Sequence, residues 1–138
     1  MAEILLIYEN VFAKSKEVQI TAQKKPTKID IYLYNETETE RMENKTVYVG
    51  TKIIIKSALF WIDEYGGLWT LAGKPHDLYH KLNDGPWKLV SRCVTGPETN
   101  TCRFEYTLKE AGTHYFYVEF PGDAEYEGCR QQAKTLAR

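Results

Sequence analysis

Histidine, cysteine and methionine are scarce in this 138-residue chain, which has three, three and two of them. Three cysteines cannot build the framework of a disulfide-stapled mini-protein, and the odd count leaves one thiol over. No apolar run approaches the ~20 residues of a membrane-crossing helix. The run ILLIY, Ile4 to Tyr8, follows an acidic residue and is too short for the apolar part of a secretion signal. Membrane insertion is not expected. Charge of one sign is also lacking, because the formal net charge is -1, and so no nucleic-acid partner is expected.

Catalytic motifs are equally absent. There is no GxSxG, no H-E-x-x-H, and no glycine-rich phosphate loop opening a helix. Paired carboxylates such as Asp63-Glu64 or Asp123 with Glu125 are what any chain with 19 acids contains. The expectation is a non-enzymatic protein with no cofactor.

What is present is material for strands. Hydrophobic residues make up 43% and aromatic residues 13%, with ten tyrosines and three tryptophans, enough for one folded domain. From Lys28, KIDIYLY alternates Ile29, Ile31 and Leu33 against Asp30, Tyr32 and Tyr34, the period of a half-buried strand. TVYVGTKIIIKSALFW reads as a long central strand, with a loop over DEYGGLWTLAGKP. HDLYHKL, PWKLVSRC, CRFEYTL and THYFYVEF follow, separated by NDGP, TGPETN and EAG, which are strong turn signals. EYEGCRQQAKTLAR supplies a last strand, partly at an edge. Strands at intervals of roughly ten residues and no long helix predict an antiparallel sandwich of about seven strands. The division expected is an extension over residues 1–25 and a domain over 26–138, with Pro26 at the break. ILLIY and EVQIT in the extension read as short strands.

Charge is unevenly placed along the chain. Lys14 to Lys28 holds five lysines and one glutamate, whereas Glu119 to Glu127 holds four acids and no base. Head-to-tail attraction between copies and two ordinary solvated faces are both open readings. So are two fates for Cys93 and Cys102, which flank the turn-rich VTGPETNT: a bridge across a hairpin, or two buried free thiols. Cys129, beside Gly128, is then the leftover and expected to be accessible. The sequons at Asn35 and Asn44 matter only in a glycosylating compartment.

Three further features invite a site. His76 and His80 stand four apart in HDLYH, with Asp77 between them and His114 distant, a weak metal-ligand candidate. In a strand His76, Leu78 and His80 share one face. Trp61, Tyr65 and Trp69 flank the glycine-rich loop, where exposed rings can stack on a carbohydrate or contact a partner. Packing in the core is the competing use of Trp61 and Trp69, and Trp87 is expected to pack between the sheets. Ile4, Leu5, Leu6 and Ile7 have the apolar character of a donor strand that pairs with the open edge of a neighbouring copy.

The stretch Ala111-Gly112-Thr113-His114-Tyr115 running through Phe120-Pro121-Gly122-Asp123 to Tyr126, with Val49-Gly50-Thr51 before KIIIKSALF and the strand PWKLVSRC, resembles the immunoglobulin-like repeats of bacterial and archaeal surface, adhesin-like proteins. The resemblance covers about residues 26–138. It departs in the length of the stretch from Asp63 to Pro75, in the cysteines, and in the first 25 residues, which have no counterpart. It implies an immunoglobulin-like sandwich and a structural or adhesive role through a protein partner or self-association. The implied setting is a cell surface if the chain is a fragment of an exported protein, and otherwise a virion or the cytoplasm. It also implies that Gly122, Asp123 and Tyr126 shape the corner between the last two strands. Elementary chemistry agrees: Pro121 ends a strand, Gly122 permits the turn, and Asp123 accepts backbone N–H groups within it.

Overall fold

In a computed structural model, which describes residues 23–138, the protein is built of β-strands arranged as two facing sheets. Nine strands follow in order: β1 Thr27–Asn35, β2 Thr46–Val47, β3 Lys52–Ile62, β4 Leu68–Thr70, β5 Pro75–Leu82, β6 Lys88–Val94, β7 Thr101–Thr107, β8 Gly112–Phe120 and β9 Cys129–Ala137. One sheet places β3 at its centre, with β1 on one side and β7 and the short β4 on the other. The second runs β2-β9-β8-β5-β6. All these pairings are antiparallel except that of β2 with β9. Seven strands carry the sandwich and β2 and β4 are short additions. The chain changes sheet between β1 and β2, β2 and β3, β4 and β5, β6 and β7, and β7 and β8. That is the immunoglobulin-like Greek-key order.

The alternation legible in the sequence sets the core. His114, Phe116, Val118 and Phe120 of β8 face inward, while Tyr115, Tyr117 and Glu119 face out. They meet Ile29, Ile31 and Leu33 of β1, Ile53, Ile55 and Leu59 of β3, Leu78 of β5 and Phe104 of β7. Each such side chain contributes about 1.5–3 kcal/mol by leaving water.

The long strand expected from Thr46 to Trp61 is broken. Gly50 takes a φ of 96°, and the Thr51 N–H donates to the Tyr48 carbonyl at 3.1 Å, forming a turn. The turn sends β2 to one sheet and β3 to the other. The stretch expected as a loop from Asp63 is in part a hairpin, in which β4 pairs with the end of β3 and Trp61 stands opposite Trp69. Asp63 closes it, accepting at Oδ1 from the N–H groups of Tyr65 and Gly67 at 2.9 and 2.8 Å. An acidic residue that caps its own turn makes a hairpin out of a glycine-rich stretch that propensity alone reads as loop.

The acidic connection after β1 folds over the outer face of the first sheet. Ile54 faces outward between Ile53 and Ile55, yet is fully buried. Its same-face neighbours by register are Tyr34, Glu105, Lys52 and Lys56. Lys52 pairs with Glu36 and Glu105, and Arg103 with Glu38 and Glu105, at 3.0–3.8 Å, and Lys56 also holds Glu38. The long side chains cover the isoleucine with their methylene stems.

The corner after β8 is formed as its residues imply. Gly122 has a φ of 86°, and a Cβ there would lie 2.7 Å from the Gly128 nitrogen. Asp123 Oδ1 accepts from the N–H groups of Glu125 and Tyr126 at 2.9 and 2.8 Å. The ammonium groups of Lys25 and Lys74 lie 5.5 and 5.0 Å from the Tyr126 ring centre. Lys25 also exchanges backbone hydrogen bonds with Glu125 and Glu127, both at 2.9 Å. The end of the basic run thus meets the acidic run within one chain.

Candidate functional site

Three places on this scaffold concentrate chemistry: the Trp61–Trp69 hairpin, the open edge of β6, and a cleft at one end of the second sheet.

At the hairpin the two indoles stack with centres 6.1 Å apart and planes 20° from parallel. Trp61 packs partly on the core and carries Lys25 over its ring at 5.1 Å. Trp69 is 55% exposed, and its indole N–H donates to Asp63 Oδ2 at 2.7 Å. That bond, with the two backbone N–H groups, holds the Asp63 carboxyl below the usual carboxylate range. Tyr65 is 89% exposed at the hairpin tip. The indoles lie against each other instead of side by side, so one Trp69 face is open and Trp61 is largely spent on packing. Trp87 does not pack between the sheets. It sits on the outer face, edge-on to Tyr117 at 4.7 Å, because the turn before β6 delivers it to the solvent side of β8.

The β6 edge exposes Leu89, Val90 and Val94. Leu78 pairs with Ser91 and Tyr79 with Leu89, so Val90 is the extra residue of a bulge. Of the two charges on this strand, Arg92 is neutralised, its Nε and Nη2 donating to Asp77 Oδ1 and Oδ2 at 2.6 and 2.9 Å, and Lys88 at the strand's start stays unpaired beyond the bulge.

The cysteines resolve into one bridge and one thiol. Cys93 and Cys102 form a disulfide with Cα atoms 6.1 Å apart. It joins β6 in one sheet to β7 in the other, so it staples the sandwich where the chain crosses over and does not span a hairpin. Cys129 is half-buried against the core, not openly accessible, and burial pushes its thiol above the usual value despite a partial offset from Thr27.

His76 and His80 do share the inner face of β5, but each has a separate partner. His76 is fully buried with Nδ1 2.7 Å from Ser57 Oγ, and its Nε2 has no hydrogen-bond partner. Burial pushes it down to about 4, with a small opposing effect of Asp77. His80 belongs to a chain of bonds: Nδ1 lies 3.1 Å from the Tyr106 hydroxyl and Nε2 2.8 Å from His114 Nδ1. His114 Nε2 in turn lies 2.7 Å from the Glu110 carbonyl oxygen. Among the described residues no three His, Cys, Asp or Glu side chains converge as metal ligands.

With both imidazoles neutral, the far end of this chain fixes every proton. A carbonyl only accepts, so His114 carries its proton on Nε2 and accepts at Nδ1. His80 must then donate from Nε2 and accept at Nδ1, which leaves Tyr106 as the donor. Burial, and then the neighbouring His114, hold His80 down to about 4, so the His80 ring is neutral near neutral pH. A cleft of about 310 Å³ lies over it, lined also by Lys81, Lys88 and Lys109. The sequence shows no sign of this site. His80 and His114 are 34 residues apart, and only the pairing of β5 with β8 brings them together. The donor-strand candidates Ile4, Leu5, Leu6 and Ile7 lie outside the described residues.

The chain matches no protein-family model and no curated protein. Among solved structures it is similar to a superoxide reductase (neelaredoxin) from Ignicoccus hospitalis, at 10% identity and TM-score 0.49 over 82% of this chain and 80% of that one. It is also similar to the CARDB domain of a Pyrococcus furiosus protein, at 10% identity and TM-score 0.47 over 82% and 96%. A β-glucosidase from Listeria innocua gives 12% identity and TM-score 0.45 over 80% of this chain and 16% of that one. Likenesses this distant assign no activity. The immunoglobulin-like description rests on the strand order.

Proposed function

We propose that this chain is a non-enzymatic immunoglobulin-like module that works by protein contact, as a spacer or adhesive unit of a cell-surface or virion assembly. In this reading copies associate by strand pairing, with Ile4 to Ile7 of one chain donated to the β6 edge of another. The observation that carries it is that edge: a terminal strand with exposed Leu89, Val90 and Val94 and its arginine neutralised by Asp77. An unpaired apolar edge offers both backbone hydrogen bonds and side-chain contact to an extended segment. The bulge at Val90 confines an uninterrupted ladder to Ser91 through Val94.

Light scattering after size exclusion tests this on the full chain, on a chain beginning at Gln23, and on Val94→Lys. The shortened chain keeps Lys25, whose backbone is bonded to Glu125 and Glu127. Oligomers that persist in reductant and vanish in both variants support the reading. Monomers throughout refute it, and oligomers lost only in reductant assign the association to Cys129.

A second reading rests on Trp69, whose open face and Asp63-pinned indole suit stacking on a sugar ring. Glycan-array binding that is lost in Trp69→Ala would favour it over assembly.

A further inference from the structure

The lysines of this protein divide into two groups. Among the described residues, Lys28, Lys45, Lys52, Lys56 and Lys74 are in ion pairs, whereas Lys24, Lys25, Lys81, Lys88, Lys109 and Lys134 are in none. Of the unpaired six, Lys81, Lys88 and Lys109 line one cleft. They approach it from different elements: Lys81 from β5, Lys88 from β6, and Lys109 from the β7–β8 turn. Lys81 borders the cleft without giving it a charge, because its ammonium lies over the outward-facing Trp87 and Tyr115 rings at 5.1 and 5.0 Å, on the opposite face of the sheet from His80. Glu110 is the one carboxylate in the lining, and its backbone carbonyl anchors His114. The remaining titratable groups are Tyr106 of β7, His80 of β5 and His114 of β8. Two ammonium groups, of Lys88 and Lys109, against one carboxylate leave the cleft positive in a protein whose net charge is -1.

The Tyr106–His80–His114 chain gives this positive cleft a second property. It can accept one proton without losing a hydrogen bond. Protonation at His80 Nδ1 converts that atom from acceptor to donor, and the Tyr106 oxygen then accepts from it. The tyrosine's own proton, released from Nδ1, turns away and becomes free to donate to a bound group. The His80 to His114 and His114 to Glu110 bonds are untouched. One proton enters from solvent and none leaves.

We propose that this cleft binds a sulfate or phosphate group, free or carried on a larger ligand, through Lys88, Lys109 and the Tyr106 hydroxyl, with uptake of one proton at His80. Without the anion the site resists that proton, because the ring is half-buried and lies beside His114. An anion at the cleft reverses the balance, since its charge favours imidazolium and it accepts the turned hydroxyl. Binding and protonation therefore reinforce each other, as linkage requires.

The test uses the intact protein with sodium sulfate, and sodium chloride at matched ionic strength as the comparison. Sulfate serves as the probe because it does not titrate near neutrality. The His80 and His114 ring resonances should move saturably in sulfate and not in chloride. Affinity should rise as pH falls from about 7 to 5, by up to about tenfold per pH unit at full coupling. Lys88→Gln and Lys109→Gln, both exposed, should each weaken binding, and the pair together should abolish it. Tyr106→Phe should bind with its pH dependence reduced. Calorimetry of the unaltered protein in two buffers of different ionisation enthalpy gives the proton count directly, so the idea does not depend on that variant folding. Near one proton per sulfate is expected in the lower part of the range. Equal effects of chloride, or no proton uptake at any pH, overturn the proposal. Glucose 6-sulfate run beside inorganic sulfate separates the sources: tighter binding of the ester places the group on a sugar, tighter binding of the ion places it in solution, and either supports the site.

Discussion

Acid should destabilise this protein well before its carboxylates titrate, and His76 is the place to measure it. The ring is fully buried, with Ser57 as its hydrogen-bond partner and Nε2 unpartnered. Charging it in the folded state is costly, so its pKa is pushed down to about 4, against about 6.5 in the unfolded chain. Between these values the unfolded state binds more protons than the folded one. Stability is therefore fully present above about pH 6.5 and lost as pH falls towards 4. From pH 7.5 to 5 the linkage relation gives a loss of about 2 kcal/mol for this one group, a large part of a typical total of about 5–15 kcal/mol. His80 adds to the loss in the same direction, by less than a fully buried ring would. Asp63 and Asp123 are held below the usual carboxylate range and contribute their losses at lower pH.

The perturbation is His76→Gln, which removes the titrating ring and keeps a polar group towards Ser57. Urea unfolding followed by tryptophan fluorescence would give free energies for both proteins at several pH values. The variant is less stable at pH 7.5, and its deficit should shrink by about 2 kcal/mol at pH 5 because only the unaltered protein carries the proton penalty there. Parallel stability curves would refute the reasoning, since they would mean that His76 takes up its proton equally in the folded and unfolded chains.

Other outcomes follow from the same geometry. Replacing Cys93 and Cys102 together with serine should cost about 2–3 kcal/mol, the loop-closure value for a bridge of this span, measured by denaturant unfolding. Gly122→Ala should destabilise by more than about 1 kcal/mol, because the backbone is left-handed there and the added Cβ would meet the Gly128 nitrogen. Asp123→Ala removes the acceptor for two N–H groups and the partner of Lys74, and should lower stability by about 1–2 kcal/mol while leaving the strand spectrum unchanged.

What the sequence determined by itself is local. Period-two alternation in KIDIYLY and THYFYVEF set which side chains face inward, because successive residues of a strand point to opposite faces. Pro121, Gly122 and Asp123 set the corner, because a missing N–H, a permissive φ and a short acceptor act within a few residues of one another. The same locality explains the failures at Gly50, where one left-handed residue split an apparent strand, and at Asp63, where a side chain closing on its own turn made a hairpin.

Tertiary structure decided everything that joins distant residues. Cys93 and Cys102 are nine apart, and their spacing fits a hairpin as well as a crossover; assignment of β6 and β7 to opposite sheets made the bridge a staple between layers. His76 and His80 look like a pair, yet the fold gave one to Ser57 and the other to Tyr106 and His114. The meeting of Lys88 and Lys109 at one cleft, the open β6 edge and the outward placement of Trp87 likewise follow from strand order. Periodicity states which way a side chain points, and only the pairing of strands states what stands opposite it.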